Sequence, residues 1–233
     1  MDLKRIALWD LPTRIFHWAL VALIVAAYIS GKIGGAAIDW HARIGLTILG
    51  LVVFRLIWGL IGSSHARFVS FFPTPTSVRA YLRGQWRGVG HNPLGAFSVF
   101  GMLALIMVQF CTGIFANDDI TFDGPLAKLI SKEFSDRLTG IHLLSINLLV
   151  ALVVLHLAAI IYYVRFKKEN LIKPMITGWK DVESGAGEST KGGGAVAFVV
   201  ALSIALAAVY GASGAWLASP PAAPASAAAK APW

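Results

Sequence analysis

Only one cysteine, Cys111, occurs among 233 residues, and it sits inside an apolar run. A lone thiol excludes an internal disulfide, a cysteine zinc site, a cysteine-ligated iron–sulfur cluster and the paired attachment cysteines of a covalent haem. Charge is scarce as well. Asp, Glu, Lys and Arg make up 14% of the chain, with 12 acids against 20 basic residues. Soluble domains carry more. Proline is absent from every long apolar stretch, so none is expected to break at its middle.

What is abundant is hydrocarbon: 57% of the residues are hydrophobic and the mean hydropathy is +0.69. About 20 apolar residues cross a ~30 Å hydrocarbon core, and five runs are long enough. They are Ile15–Ile33, His41–Gly62, Leu94–Ala116, Thr139–Val164 and the alanine-rich Ala195–Leu217. The expected fold is therefore all-α, an integral membrane helix bundle. Residues 1–14 read as an N-terminal segment, 15–180 as the main four-span unit, and 181–194 as a linker, its Gly185–Gly194 part flexible. Residues 195–217 form the fifth span, and 218–233 a Pro/Ala-rich tail.

The net charge of +8 does not point to nucleic acid, because the basic residues flank the spans. Ser63–Asn92 holds Arg67, Arg79, Arg83 and Arg87 and no acid, whereas Asn117–Arg137 holds Asp118, Asp119, Asp123, Glu133 and Asp136. Lys4, Arg5 and Arg14 precede the first span, and Arg165, Lys167, Lys168 and Lys173 follow the fourth. All basic connections fall on one side. The positive-inside rule then predicts a cytoplasmic N-terminus, a periplasmic C-terminus and residence in a bacterial inner membrane. The start has the outline of a signal peptide, with small residues at Gly34–Ala37, but its apolar run is long and carries His17. Pro75–Gly88 reads either as a short amphipathic helix on the membrane surface or as a solvated basic loop.

Of six histidines, His65 and His91 fall in or beside the basic connection, where water solvates them. The other four sit in or at the ends of spans. His142 and His156 are fourteen residues apart on one helix. That spacing is about 40° short of four turns and rises roughly 21 Å. Depth pairs His41 with His142 on the outer side and His17 with His156 on the inner side. Two imidazoles fill both axial positions of a haem iron, an arrangement suited to electron transfer rather than oxygen activation. A single histidine at a helix end is as often bonded to a carbonyl. His156, however, lies in Leu-Val-Ala-Leu-Val-Val-Leu-His-Leu-Ala-Ala with no polar neighbour, where a ligand or proton-relay role is the default. One depth mismatch remains: His17 is three residues from Arg14, whereas His156 is nine from Arg165. Helix tilt or an earlier start of the first helix removes it.

At these residues the chain resembles the prokaryotic cytochrome b561 family and the related b-type cytochrome subunits of nickel–iron hydrogenases. The matching stretches are Trp9-Asp10-Leu11-Pro12-Thr13-Arg14-Ile15-Phe16-His17-Trp18, Trp40-His41, Arg55-Leu56-Ile57-Trp58-Gly59, Gly90-His91-Asn92-Pro93-Leu94-Gly95 and the His142/His156 pair. The resemblance covers about residues 5–180. It implies a four-helix bundle with two noncovalent b-type haems, axial ligands His17, His41, His142 and His156, and electron exchange between quinone and a partner. The fifth span and the tail depart from the usual four-helix plan.

Secondary positions follow. Anionic propionates favour Arg or backbone donors, so Arg14, Arg43 and Arg55 are candidates, each equally able to snorkel to headgroups. Asn92 either contacts haem or caps the third span, with Pro93 starting it. Trp9, Trp18, Trp40 and Trp58 read as interface anchors, and Cys111 as a small apolar residue. Ala201, Ala205, Ala208, Ala212 and Ala215 form a small-residue stripe that packs on the bundle or on another subunit, giving an oligomer through the fifth helix.

The sequence thus points to a quinone-linked dihaem cytochrome, with no catalytic residue of its own and a periplasmic c-type cytochrome or hydrogenase as partner. Two rivals stand beside it. One is a self-contained quinol oxidoreductase with an outer oxidant drawn by Arg43 and Lys128. The other is a haem-free transporter or anchor, against which the lack of an internal repeat counts. Asp39, Asp118 and Asp119 are candidate proton acceptors for quinol.

Overall fold

The computed structural model describes residues 2–120 and 122–217, so the expected tail at 218–233 lies outside the described residues. Five helices are long and apolar enough to cross a membrane, and the chain is a multi-pass membrane protein. Helix α1 spans Leu11–Ile33 and α2 Ala37–Ile61. The short α3 spans Pro75–Leu82, α4 Pro93–Gly113 and α5 Lys132–Tyr162. A π-helical turn, Tyr163–Lys167, extends α5. Helix α6 spans Ile172–Thr177 and α7 Gly194–Ala212.

Helix starts follow local chemistry. Asp10 caps α1, its Oδ1 accepting from Thr13 N at 2.7 Å, and Pro12 fixes the first turn. α1 therefore begins four residues before the expected Ile15. His17 lies roughly 9 Å into the helix, which removes much of the depth mismatch with His156. Asn92 caps α4 in the same way, accepting from Gly95 N at 2.8 Å. Thr74 caps α3, which ends at Leu82 rather than Gly88. The Tyr81 hydroxyl of α3 bonds that of Tyr163.

One apolar core joins four helices: Phe16 of α1, Ile48 and Val52 of α2, Leu103 and Ile106 of α4, and Leu149 of α5. Leu149 is seven residues from both His142 and His156, so it lies midway between them on α5. Elsewhere the helices turn apolar side chains outward. Leu143, Leu148 and Leu155 are each more than half exposed, as expected where lipid is the solvent.

A two-stranded antiparallel sheet closes the end that carries the N-terminus. Strand β1, Leu3–Ala7, pairs with β2, Trp179–Glu183, in the register Leu3↔Glu183, Arg5↔Asp181 and Ala7↔Trp179. Part of the stretch expected as a flexible linker is held. Thr190 N donates to Ala7 O at 2.7 Å and Ser64 N to Lys191 O at 2.7 Å. Gly192, Gly193 and Gly194 all have positive φ, and a Cβ on Gly193 would meet the Trp58 ring at 2.8 Å. Only glycine permits that turn into α7.

α7 packs on α2 through its alanines. Ala201 and Ala205 are buried against Phe54 and Trp58, and Val209 lies against Gly50. Ala201 and Ala205 of the alanine stripe are therefore used within the chain, whereas Ala215 lies past the end of α7 and is exposed; an oligomer through α7 would need its other face. Ala205→Leu should overpack this seam and cost about 1–3 kcal/mol. A thermal-unfolding series in detergent tests it, with Leu206→Ala, on the exposed side, as the near-neutral control.

Candidate functional site

His41 lies in the first turns of α2 and His142 in α5, and the fold brings them together. Their ring centroids are 6.0 Å apart with planes at 81°. Nδ1 of His41 is 2.8 Å from the Ala27 carbonyl oxygen, and Nδ1 of His142 is 2.8 Å from the Gln109 carbonyl oxygen. A carbonyl only accepts, so both Nδ1 atoms carry the proton and both Nε2 atoms present lone pairs.

These observations test whether the pair suits an iron porphyrin. A histidine–metal bond is about 2 Å and the ring centre lies roughly 1.2 Å behind the nitrogen, so two imidazoles sharing one metal atom would stand roughly 6 Å apart. The separation and the tautomers fit. Among the described residues no cluster of three or more His, Cys, Asp or Glu could hold a bare metal ion, whereas a haem brings four nitrogens of its own. Gln109 Nε2 lies 3.0 Å from His142 Nε2, and Ser145 Oγ donates to Gln109 Oε1. An iron on His142 requires this flexible amide to turn aside.

At the other level stand His17 of α1 and His156 of α5. His17 Nδ1 is buried without a hydrogen-bond partner. His91, expected in water, is instead sandwiched between Trp9 and Phe71, each 4.6 Å away centre to centre. Burial pushes His91 down to about 3, and the charges of Arg55, His156 and His17 act in the same direction. It is neutral at any physiological pH.

The remaining candidates separate. Arg55 is 3% exposed and lies over the Phe68 ring at 4.7 Å, with Nη1 buried and unpartnered. Arg14 donates to the Ile176 carbonyl, while its Nε has no partner. Arg43 is exposed and lies 5.4 Å over the Trp40 ring. Asn92 is engaged in the protein, its oxygen on the α4 cap and its amide on Tyr163 Oη at 2.7 Å. Asp118 accepts from Ile120 N and Phe122 N, Asp119 pairs with Lys132, and Asp39 is exposed at the start of α2. Cys111 faces outward.

Two expected anchors are not anchors. Trp9 and Trp58 are buried, and Trp58 Nε1 donates to Asp10 Oδ2 at 2.9 Å. Ser63 Oγ donates to the same oxygen. Asp10 thereby ties the start of α1 to the end of α2. Sequence reasoning missed it, although Asp-Leu-Pro-Thr has the form of a helix start. It also missed Gln109, Thr112 and Ser145 around His142. Three polar residues within or facing one apolar span were the available signal.

A family model described as prokaryotic cytochrome b561 matches residues 8–178, which include His17, His41, His142 and His156. α7 lies beyond the match. The chain is similar to the probable Ni/Fe-hydrogenase B-type cytochrome subunit of Bradyrhizobium diazoefficiens. Identity is 24% over 206 positions, covering 73% of this chain and 83% of that protein. The protein of the same description from Azotobacter vinelandii is 23% identical over 217 positions, covering 74% of this chain and 87% of its own. No solved structure matches the chain.

Proposed function

The chain belongs to the prokaryotic cytochrome b561 family, and from that premise we propose that it carries two haems b and moves electrons between the quinone pool and a redox partner. Membrane electron transfer with haem b is common to the family. Haem b supplies a one-electron change at iron; the protein supplies position, ligation and tuning.

His41 and His142 hold one haem, His17 and His156 the other. The observation that carries this reading is the 6.0 Å approach of the His41 and His142 rings, each with Nδ1 bonded to a carbonyl. Arg55 and Arg14 keep buried donors without partners and are the residues suited to propionates. Asn92, whose oxygen and amide are both engaged within the protein, is not. His142 and His156 are separated by roughly 21 Å of helix, so the two haems lie at opposite depths.

The basic connections support a cytoplasmic N-terminus in an inner membrane. The relatives' printed names support a hydrogenase as partner, and the acidic stretch around Asp118, Asp119 and Asp123 suits a basic periplasmic face. Purified protein is expected to contain two noncovalent haems per chain, both reducible by a quinol. A stable preparation without haem, or with one haem per chain, overturns the reading.

A further inference from the structure

The His41 and His142 rings are braced by the same local device, repeated on two helices. On α1, Ser30 Oγ donates to Ala26 O at 2.8 Å and Ala27 O at 3.1 Å. On α4, Thr112 Oγ1 donates to Val108 O at 2.7 Å and Gln109 O at 3.1 Å. In each case the second carbonyl also takes a histidine Nδ1. In each case a glycine follows the hydroxyl residue. A Cβ on Gly31 would meet His41 Nδ1 at 2.9 Å, and one on Gly113 would meet His142 Cε1 at 2.9 Å. The rings reach their carbonyls only because these two Cβ atoms are missing. Each helical hairpin, α1–α2 and α4–α5, thus braces its own histidine.

We propose that Ser30-Gly31 and Thr112-Gly113 are positioning pairs for the haem ligated by His41 and His142. They fix the ring orientation and the Nδ1–H tautomer, and through the Nδ1–H···O bond they strengthen Nε2 as a donor to iron. A stronger donor favours the ferric state and lowers the midpoint potential of that haem. At the other level, His17 Nδ1 has no such partner. Glycine weakens a helix relative to alanine, and back-bonded Ser or Thr bends one. The same costly combination at two matching places has a common cause in the ring it admits. The inference rests on the axial assignment of His41 and His142 given above.

The test uses the haem-loaded protein in detergent and reads midpoint potentials and the ferric low-spin EPR signals. Gly31→Ala and Gly113→Ala should raise the midpoint of one haem, shift its g values and leave the other haem unchanged. The haem affected is the one lost in His142→Ala. Gly140→Ala and Gly211→Ala, on exposed helix faces where an added Cβ meets nothing within 4 Å, should leave both haems as they are. Glycine variants with wild-type potentials and g values overturn the proposal, provided His142→Ala loses one haem. If His142→Ala keeps two haems, the axial assignment itself has failed. Should a glycine variant not accumulate, redox-difference infrared spectra of unsubstituted protein with ¹⁵N-labelled histidine decide. A strongly bonded Nδ1–H on one ligand pair supports the device; free N–H on both pairs overturns it.

Discussion

Replacing His142 by alanine is expected to remove one of two haems and abolish electron transfer across the membrane, while the second haem keeps its spectrum. His156→Ala should do the converse. The expectation follows from where the ligands sit. Both are on α5, fourteen residues apart, and Leu149 of the packed apolar core lies midway between them. Loss of one ligand therefore leaves the other level's helix contacts in place. It also leaves about 20 Å with no redox carrier on one side. Haem-to-protein ratios on purified variants, with reduced-minus-oxidised spectra, measure the loss. Retention of both haems in either variant contradicts the pairing, and loss of both in each would mean that the levels are not independent.

The second large effect is expected at Asp10. Its carboxylate caps α1 through Thr13 N, accepts from Trp58 Nε1 and Ser63 Oγ, and is the acid within electrostatic reach of buried Arg55. Trp58 and Ser63 are buried, so Asp10→Ala strands two donors in a place water does not reach. A lost cap costs about 0.5–2 kcal/mol and each stranded donor about 1–3. Together they amount to about 3–5 kcal/mol after the overlap expected of neighbours. Detergent unfolding should show a midpoint lower by on the order of 10 °C. Asp10→Asn, which can still cap and accept one bond, should fall between. A variant as stable as the parent would show that α1 and α2 are held together elsewhere.

Much of this was legible in the chain. The five spans could be read because hydrocarbon leaves a backbone no partner but itself, so each apolar run long enough to cross had to be a helix. The His142–His156 spacing was readable for the same reason, since a helix converts residue number into height. Asp10-Leu11-Pro12 marked the true start of α1, a cap signal overlooked in favour of the apolar run at Ile15. The sheet was not legible. β1 pairs with a strand more than 170 residues away, and neither strand alternates strongly enough to stand out. His91 looked solvated because its neighbours in sequence are polar or small, whereas Trp9 and Phe71 reach it from other segments. Trp58 looked like an interface anchor because its depth on α2 was right and its partner, Asp10, was on another helix.

The amino-acid order alone settled that this is a multi-span helical protein, and it set the heights of the histidines, because both depend on one helix at a time. Tertiary structure decided which imidazoles meet, which carbonyl each one bonds, and that α7 lies along α2 through its alanines. Those outcomes depend on how helices rotate and approach one another. That is set by small residues such as Gly31, Gly113 and Ala201, whose effect is to leave room that only a neighbouring helix can fill.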